Sequence, residues 1–552
     1  MARLLPLVLL AIAPCAIALA AGADPAPSPE TLWRRRIVEA RELKLWIASA
    51  ATGLLAIGWI LRISGRGAWL ERTRAALLVG LCLATLFAWW HPYRGSLRAW
   101  LHVGDTFHYY MGAKYFDELG YTRLYHCAAV ADAESGLRPL VARSQMRDLE
   151  TNQIQSARKA LRDSDGCKRH FTPERWRSFG EDLDFFRRKL PATHWIKLRS
   201  DHGYNPPPTW TLAGGLLTRT GPPGRRQLFA LTAIDPLLLL GMFAALVWAF
   251  GWQVSCIALI YWGTNQPANW EWGGGSILRF DWLAASVIGL CCLKRGRPAT
   301  AGALLAWAAA VRIFPIAIAG GVGLGALLHM GRQRRFTLTR DQRRFALAFG
   351  SALAVIFALS SLWAGPHSWV EFARNSRLHL ASDTVNRMGL RPLLAHRHET
   401  RLERTLDEVA ADPYARWRAE RAATSEARRP LRVAIAIGYL AVLLLALRRQ
   451  PDWVAGVLAI GAIPVFLELG SYYFGVMTAF ACLARRYEEV AVALALLAAA
   501  TWWVGSWGGS DRDQVVTLMS LATLLFVGAV TLRVAIRPGP RAGASDARSC
   551  VP

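Results

Sequence analysis

Asp105 is the residue of this chain that is best placed to do chemistry. It lies in the segment Gly104–Lys114 (GDTFHYYMGAK), soon after the apolar run Ala75–Trp90. An acidic side chain beside a membrane is costly to desolvate, and a carboxylate can accept the proton of an attacking hydroxyl. We therefore predict that Asp105 is catalytic. A simpler role, as the cap of a helix that begins at Thr106, is the alternative.

Four other ionisable side chains interrupt apolar stretches farther along the chain: Arg279, Asp281, Arg312 and Glu468. Ionisable groups inside a membrane bundle usually face a cavity and pair with one another. Because the planar guanidinium of arginine matches phosphate, the pattern predicts a cavity that accepts a phosphorylated lipid and a polar acceptor. Three alternatives stay open: a structural Arg279–Asp281 ion pair, an Arg312 that snorkels to lipid headgroups, and a Glu468 that is a satisfied packing residue.

Further polar and aromatic residues could line the same cavity. The remaining candidate substrate-binding residues are Tyr110, Lys114, Asn205 and Tyr473. For Lys114, and for His108, an interfacial position is the favoured alternative. Asp235 is expected to be a structural partner rather than part of the site. Most of the tryptophans fit an interfacial belt, with sugar stacking as the alternative for three of them, Trp262, Trp270 and Trp272.

Composition places the chain in a membrane. Of its 552 residues 53% are hydrophobic, and the mean hydropathy is +0.22. The apolar residues form runs long enough to cross about 30 Å of hydrocarbon, which predicts an all-α polytopic membrane protein. The formal net charge is +26. Since the arginines cluster between apolar runs, this charge indicates cytoplasmic anchoring and contact with anionic membrane lipid, not nucleic-acid binding.

Apolar runs and arginine clusters together predict 11–13 membrane segments, with Asp105 on the outer side. Two short pairs are expected to be hinged, one near Arg312 and Pro315 and one near Pro464 and Glu468, and residues 251–276 are expected to be re-entrant or interfacial. The predicted order is a signal peptide or first membrane helix (1–21), an external or interfacial segment (22–44), two membrane helices (45–90), an external loop with the Asp105 segment and a helical insertion (91–205), a membrane core (206–364), a second external loop (365–430), C-terminal membrane helices (431–533) and a cytoplasmic tail (534–552).

Two local features refine this topology. Cys127 and Cys167 lie in the long hydrophilic loop and could form a disulfide in an oxidising compartment. The cluster Arg34–Arg36 falls on the outer side, against the usual distribution of positive charge. We therefore predict that Trp33–Lys44 is an interfacial helix that lies on the membrane.

Several short motifs occur in an order that is typical of one enzyme family. They are the Asp-plus-aromatic segment Gly104–Lys114 with Gly120–Tyr125, the Tyr-Asn-Pro-Pro-Pro of Tyr204–Pro208, the basic turn Lys294–Pro298 with Val311–Pro315, and Ser471–Tyr473. Together they resemble motifs of C-type (GT-C) membrane glycosyltransferases, most closely the bacterial polyprenyl-phosphate-mannose-dependent mannosyltransferases. Arg312 stands where that family usually has lysine, and the family's Gly-Gln-x-Asn stretch is not present as such.

The resemblance implies a function and roles for two of the charged groups. The chain would move a sugar, mannose or a related hexose or pentose, from a polyprenyl-phosphate donor to a glycan, lipid or protein acceptor. The reaction would take place at the outer face of the bacterial cytoplasmic membrane. Asp105 would act as general base or orient the acceptor hydroxyl, while Arg312 with Arg279 would hold the donor phosphate.

Other functions and a metal stay open at this point. The resemblance commits to no cofactor, and a divalent metal held by Asp105 with Asp281 or Glu468 is one option. The alternative functions are a transporter or flippase for an anionic lipid or solute, a surface-polysaccharide polymerase or ligase, and a non-catalytic scaffold. Broken membrane helices with charges at mid-depth also mark transporters.

Overall fold

The fold is mainly helical in the part of the chain that the structure describes. The computed structural model describes residues 29–65, 71–93, 100–410, 412–507 and 511–537. The segment expected to be a signal peptide or first membrane helix (1–21) and most of the expected tail lie outside these ranges. Two small antiparallel sheets accompany the helices: Gln145–Asp148 pairs with Gln153–Ser156, and Arg387–Met388 pairs with Leu469–Gly470.

Seven helices in the described ranges are long and apolar enough to cross a membrane. The prediction of a helical polytopic membrane protein is therefore confirmed at this level. The helices are Pro29–Ile63, Glu71–Trp90, Arg225–Phe250, Arg340–Ala364, Arg429–Leu447, Glu488–Trp507 and Arg512–Ile536.

Shorter helices pack among these seven. A helix such as Pro298–Val311, with 14 residues, is about 21 Å long and cannot cross the hydrocarbon alone. Each break between short helices leaves irregular backbone, which is tolerated at membrane depth only where protein or a cavity surrounds it. The short helices are Pro208–Thr218, Trp252–Thr264, Asp281–Lys294, Pro298–Val311, Ile316–Gln333, Asp452–Ile460, Ile463–Phe466 and Ser471–Arg485.

The two hinges between short helices occur at the positions that the sequence predicts. One hinge comprises residues 312–315, between Pro298–Val311 and Ile316–Gln333, and the other comprises residues 467–470, before Ser471–Arg485. Proline lacks the backbone donor that a continuing helix needs, and both hinges have a proline at or near them, Pro315 and Pro464. Residues 265–280 are also largely irregular and follow the short helix Trp252–Thr264.

The first described helix differs from the prediction. Trp33–Lys44 is not a separate interfacial helix and residue 45 is not a boundary, because Pro29–Ile63 is one helix of 35 residues, about 52 Å long. Two cations in the first half of this helix have local partners. Arg41 pairs with Glu271 at 2.6 Å, and the buried Lys44 Nζ donates to Asn269 Oδ1 at 2.6 Å. These contacts explain how positive charge is accommodated there.

The insertion between residues 115 and 202 was predicted to be helical, but it also contains the Gln145–Ser156 hairpin. A disulfide joins Cys127 to Cys167, with 5.5 Å between their Cα atoms. The buried Asp132 accepts a hydrogen bond from Trp195 Nε1 at 2.7 Å. The helical segments of the insertion are Phe116–Leu119, Leu124–Asp132, Ala133–Leu137, Arg138–Ala142, Arg158–Arg162, Ser164–Lys168, Pro173–Arg187 and Ala192–Leu198.

A second polar region follows Arg340–Ala364 and precedes Arg429–Leu447, as predicted. It is mostly helical. Its segments are Ser368–Ala381, Leu390–Ala395, His398–Thr400, Leu402–Thr405 and Ala415–Ala427. The strand Arg387–Met388 in this region pairs with the second hinge and so ties the polar region to the membrane helices.

Lys114 links the insertion to the helix Val103–Lys114, which we call the motif helix. Lys114 Nζ lies 2.6 Å from Asp182 and 3.0 Å from the carbonyl oxygen of Gly221, and both charged side chains are nearly inaccessible. We therefore expect Lys114→Met to lower the free energy of unfolding by about 3–5 kcal/mol, because Asp182 would stay buried without its cation.

The control is Lys168→Met in the same insertion. Lys168 pairs with Glu134 at 2.8 Å, but both side chains are more than 40% exposed, so we expect a loss of about 1 kcal/mol or less. Thermal unfolding of the detergent-solubilised protein measures both changes. Equal effects of the two substitutions would contradict a structural role for Lys114.

The long helices bring many of the basic clusters to one end of the bundle. Arg62 pairs with Glu71 across the first connection, at 2.8 Å, and with Glu488 at the start of a later helix. Arg41 and its partner Glu271 lie toward the opposite end of the first helix. We call the Arg62 side the basic end. The distribution of positive charge in membrane proteins makes it the expected cytoplasmic side.

Candidate functional site

The motif helix presents Asp105 to a large cavity of about 1090 Å³. The helix begins at Val103, and the cap is His102, whose Nδ1 accepts from the Asp105 backbone N–H at 3.2 Å. The alternative in which Asp105 caps a helix that starts at Thr106 is therefore wrong. The Asp105 side chain is 24% exposed, so it is partly shielded but open to a ligand.

The cavity collects residues that are far apart in the sequence. It is bounded by the motif helix, the loop of residues 274–280, both hinges and the second polar region. Six of the predicted site residues line it: Asp105, Asn205, Arg279, Arg312, Glu468 and Tyr473. The convergence that the sequence predicted for the charged groups is thus present in the structure for four of them.

Arg279 is the direct partner of Asp105. Its Nη2 lies 3.1 Å from Asp105 Oδ2, and its Nε donates to the carbonyl oxygen of Gly273 at 3.2 Å. The guanidinium carbon lies 4.8 Å from the ring centre of Tyr109 and 5.3 Å from that of Tyr472. The guanidinium is therefore fixed by a carboxylate, a carbonyl and two aromatic faces. The alternative Arg279–Asp281 ion pair does not form.

Ionisation of Asp105 depends on this environment. Burial alone would raise the pKa of the Asp105 carboxyl, but the positive charge of Arg279, helped by His102 and His108, lowers it below its ordinary value. Asp105 is consequently a carboxylate at neutral pH. A lowered pKa also makes it a weak base, which favours a role in orienting a hydroxyl and stabilising positive charge over full proton removal.

The loop of residues 274–280 holds Arg279 in place from two sides. The buried Asp235 accepts the backbone N–H groups of Arg279 and Phe280 at 2.9 and 3.0 Å. On the other side, the carbonyl oxygen of Gly275 accepts the backbone N–H of His102 at 2.8 Å. Asp235 is thus a structural partner, as predicted, but one that acts on the site. The sequence carries no signal for this contact, because the residues are 44 positions apart.

Gly275 has both a close contact and a left-handed backbone. Its φ is +71°, and a Cβ there would lie 2.0 Å from the carbonyl oxygen of Trp100. We expect Gly275→Ala to lower the free energy of unfolding by about 3 kcal/mol or more, since the loop must shift away from the motif helix.

Gly296→Ala is the matched control for this prediction. Gly296 has a similar φ of +66° but nothing within 4 Å of the added Cβ. It should cost only the conformational strain, about 1–2 kcal/mol. Thermal unfolding in detergent measures both, and a Gly275→Ala loss no larger than that of Gly296→Ala would show that the close approach to Trp100 is unimportant.

Arg312 occupies the first hinge, and Asp281 interacts with it electrostatically without forming a salt bridge. Its Nη1 donates to the carbonyl oxygen of Val311 at 2.7 Å, its Nη2 lies 3.4 Å from the Tyr109 hydroxyl, and the guanidinium is 5.9 Å from the Tyr473 ring centre. Within the described ranges, no carboxylate lies within 4.0 Å of it. The side chain is 8% exposed and lines the cavity, so it does not snorkel to lipid headgroups.

Asp281 lies behind the cavity wall. It begins the helix Asp281–Lys294, and Trp307 Nε1 donates to its Oδ2 at 3.2 Å. Its Oδ1 is buried without a hydrogen-bond partner, and the residue is not among those that line the cavity. The structure therefore makes Asp281 a neighbour of the site, not one of its surfaces.

Glu468 lies at the second hinge between two arginines. Arg387 Nη1 lies 2.7 Å from Oε1, and Arg391 Nη1 lies 2.6 Å from Oε2. Glu468 is therefore the satisfied packing acid of the alternative interpretation, although it lines the cavity. Neither arginine is predicted from the sequence, because a basic residue in a polar loop gives no local sign that the fold will place it on a cavity wall.

The structure places the other candidates outside the cavity. Tyr110 donates to the carbonyl oxygen of Gly221 at 2.7 Å on another side of the motif helix, next to Lys114. Trp262 and Trp270 are buried in an aromatic cluster, where Trp270 lies 5.3 Å from Trp89 and 5.1 Å from Trp100. Trp272 differs: it is 47% exposed and lines the cavity, so it is the tryptophan available for stacking on a sugar.

Two histidines line the cavity next to each other. The rings of His202 and His379 lie 5.1 Å apart. Burial, with Arg147 and His379, lowers the pKa of His202 to about 3, against a raising effect of Asp201. Burial, with Arg387 and Arg147, lowers the pKa of His379 to about 4, also against Asp201. Both histidines are therefore neutral near pH 7.

These lowered pKa values predict acid sensitivity. Between about pH 6.5 and pH 4 the unfolded chain binds protons at His202 and His379 and the folded chain does not, so stability falls as the pH falls through this window. We expect His379→Gln to flatten the decrease of the thermal midpoint with falling pH. An identical slope in the variant and the parent would contradict this prediction.

A metal site is not apparent. No group of three or more His, Cys, Asp or Glu side chains that could hold a metal ion occurs among the described residues. The acids considered for this role have other partners, since Asp105 pairs with Arg279 and Glu468 pairs with Arg387 and Arg391. Comparison of the chain with protein-family models, curated proteins and solved structures gives no match.

Proposed function

We propose that this protein is a membrane glycosyltransferase that moves a sugar from a polyprenyl-phosphate donor to an acceptor hydroxyl. The observation that carries the proposal is the buried Arg312, which lines the cavity with no carboxylate within 4.0 Å of it among the described residues, beside the fixed Asp105–Arg279 pair. Asp281 offsets part of its charge from behind the cavity wall, but the Arg312 Nε is buried without a hydrogen-bond partner, and a bound phosphate would supply both an acceptor and a negative charge.

The charged groups can serve the two halves of the reaction. The acceptor oxygen forms a bond to the anomeric carbon of the sugar while the bond from that carbon to the phosphate oxygen breaks. Asp105 orients the acceptor hydroxyl, and its proton leaves to the carboxylate or to the released phosphate. Arg312 faces the negative charge that grows on the phosphate, so it stabilises the transition state more than the ground state.

The environment of the site fits lipid-linked substrates. The cavity is also lined by apolar residues at the hinges, among them Ile313 and Phe466, which are 63% and 49% exposed. We propose that the protein lies in the bacterial cytoplasmic membrane with the cavity at the outer face, where the resemblance to GT-C mannosyltransferases places the reaction. The sugar would be mannose or a related hexose or pentose, and the acceptor a glycan, lipid or protein.

Reconstitution in liposomes tests the proposal. Vesicles with the protein receive a polyprenyl-phosphate carrying a radiolabelled sugar, together with candidate acceptors, and the formation of labelled product is measured. A parallel assay follows the movement of a fluorescent anionic lipid across the bilayer. Product formation supports a transferase. Lipid movement without product would instead favour the transporter or flippase, whose broken helices this chain shares.

A further inference from the structure

A second cavity opens at the basic end, far from Asp105. Its volume is about 400 Å³, and it lies between five helices: Pro29–Ile63, Glu71–Trp90, Trp252–Thr264, Ser471–Arg485 and Glu488–Trp507. The proposed sugar transfer uses none of its residues. What it binds is therefore independent of the function proposed above.

The walls of this cavity carry an excess of positive charge. Three arginines and two glutamates line it, which leaves one positive charge in excess. Arg62 pairs with both Glu71 and Glu488, whereas Arg74 lies 3.9 Å from Glu71. Among the residues that the structure describes, no carboxylate lies within 4.0 Å of Arg485. The excess charge is thus concentrated at Arg485 and Arg74.

A helix N-terminus reinforces this charge. The helix Trp252–Thr264 has 13 residues, no side-chain cap and no acid in its first turn. Two residues of that turn, Gln253 and Val254, line the cavity. The guanidinium carbon of Arg485 lies 3.6 Å from the position that a Cβ on Gly251 would take, just before the helix. Free N–H groups and a guanidinium therefore meet at one place, an arrangement that binds anions.

Part of the wall of this cavity is apolar. Leu55, Leu78 and Ile257 come from three different helices and line it. A free phosphate would gain nothing from such a wall, but a phospholipid presents a charged headgroup and adjoining acyl carbons together. Basic pockets between membrane helices on the cytoplasmic side are typical sites for anionic lipid headgroups.

We propose that this cavity binds the phosphoryl group of an anionic phospholipid, with Arg485 and Arg74 as its main ligands. The N-terminus of Trp252–Thr264 contributes backbone donors. The bound lipid fills the space between the five helices and stabilises the bundle, because a ligand that binds only the folded state raises its thermal midpoint.

The test uses the full-length protein in detergent, with thermal unfolding as the readout. Phosphatidylglycerol, phosphatidylcholine and inorganic phosphate are titrated separately. The parent should be stabilised by phosphatidylglycerol and not by phosphatidylcholine. In Arg485→Gln, and separately in Arg74→Gln, the apparent affinity for phosphatidylglycerol should fall about fivefold or more, the loss expected for one arginine at a membrane surface. Arg485→Gln should fold normally, because its side chain is exposed and unpaired.

Arg295→Gln is the matched control at the same end. Arg295 stacks over Trp248, 5.3 Å from its ring centre, and does not line the cavity, so the affinity should be unchanged. If inorganic phosphate stabilises the parent and Arg485→Gln abolishes this effect, the cavity is still a phosphoryl-binding site, but its ligand is soluble. Two results would overturn the proposal. One is that phosphatidylglycerol stabilises the parent and both cavity variants equally. The other is that phosphatidylcholine stabilises the parent as much as phosphatidylglycerol does.

Discussion

Asp105→Asn should lower the turnover of sugar transfer by about 10²–10⁴-fold, the range typical of a positioned acid–base group. The amide keeps the size of the side chain but removes the negative charge that faces Arg279 at 3.1 Å. The effect should fall on kcat, because in the proposed mechanism Arg312 and not Asp105 holds the donor phosphate. Product formation in liposomes under saturating donor gives the measurement.

Folding is not expected to fail in this variant. Arg279 keeps its contacts with the Gly273 carbonyl oxygen and with the rings of Tyr109 and Tyr472. Asp117→Asn is the control, since Asp117 is 57% exposed and pairs with Arg219 outside the cavity. Full transfer activity in Asp105→Asn, with protein inserted as well as the parent, would remove Asp105 from the mechanism.

Arg312→Gln should lower kcat/KM for the lipid-linked donor by about 10²–10³-fold, the cost of one donor to a developing negative charge. Arg312 has no carboxylate within 4.0 Å in the described part of the chain, but its removal takes away a positive charge that interacts with the buried Asp281. The thermal midpoint should therefore change little, because the removal of one desolvated charge offsets the loss of this interaction. A loss of activity without a loss of stability is the pattern of a ligand-binding residue.

Two further variants sharpen this test. Arg312→Lys keeps the charge but loses the planar fork, so it should recover part of the activity. Arg219→Gln changes a similar residue outside the cavity and should leave kcat/KM unchanged. A strongly lowered thermal midpoint in Arg312→Gln would instead indicate that the guanidinium is a structural element of the hinge.

The features that the sequence predicted correctly are local. Proline next to short apolar runs indicated both hinges, and Arg312 stood out because an arginine inside an apolar run is costly. Asp105 stood out for the same reason. For these positions, each signal lies within a few residues of the group that it describes. The convergence on one cavity followed from the orientation that the arginine clusters give to the helices.

The features that were missed depend on tertiary contacts. Asp235 was predicted to be a structural partner, but its contact with the backbone of Arg279 and Phe280 was not predicted. For Glu468 the sequence left substrate binding and packing both open, because Arg387 and Arg391 come to it only in the fold. Hydropathy also could not show that the first helix continues through the polar stretch before residue 45, because the partners of its cations lie more than 200 residues away.

The hydrogen bond from the His102 backbone to the Gly275 carbonyl has a wider consequence. It joins the start of the motif helix to the loop that carries Arg279. The backbone segments that carry Asp105 and Arg279 are therefore directly hydrogen-bonded to each other. Related proteins could then diverge in substrate while Asp105 and Arg279 keep their relative positions. Selectivity for one sugar or acceptor could be altered from the second polar region, where Arg387 and Arg391 border the same chamber.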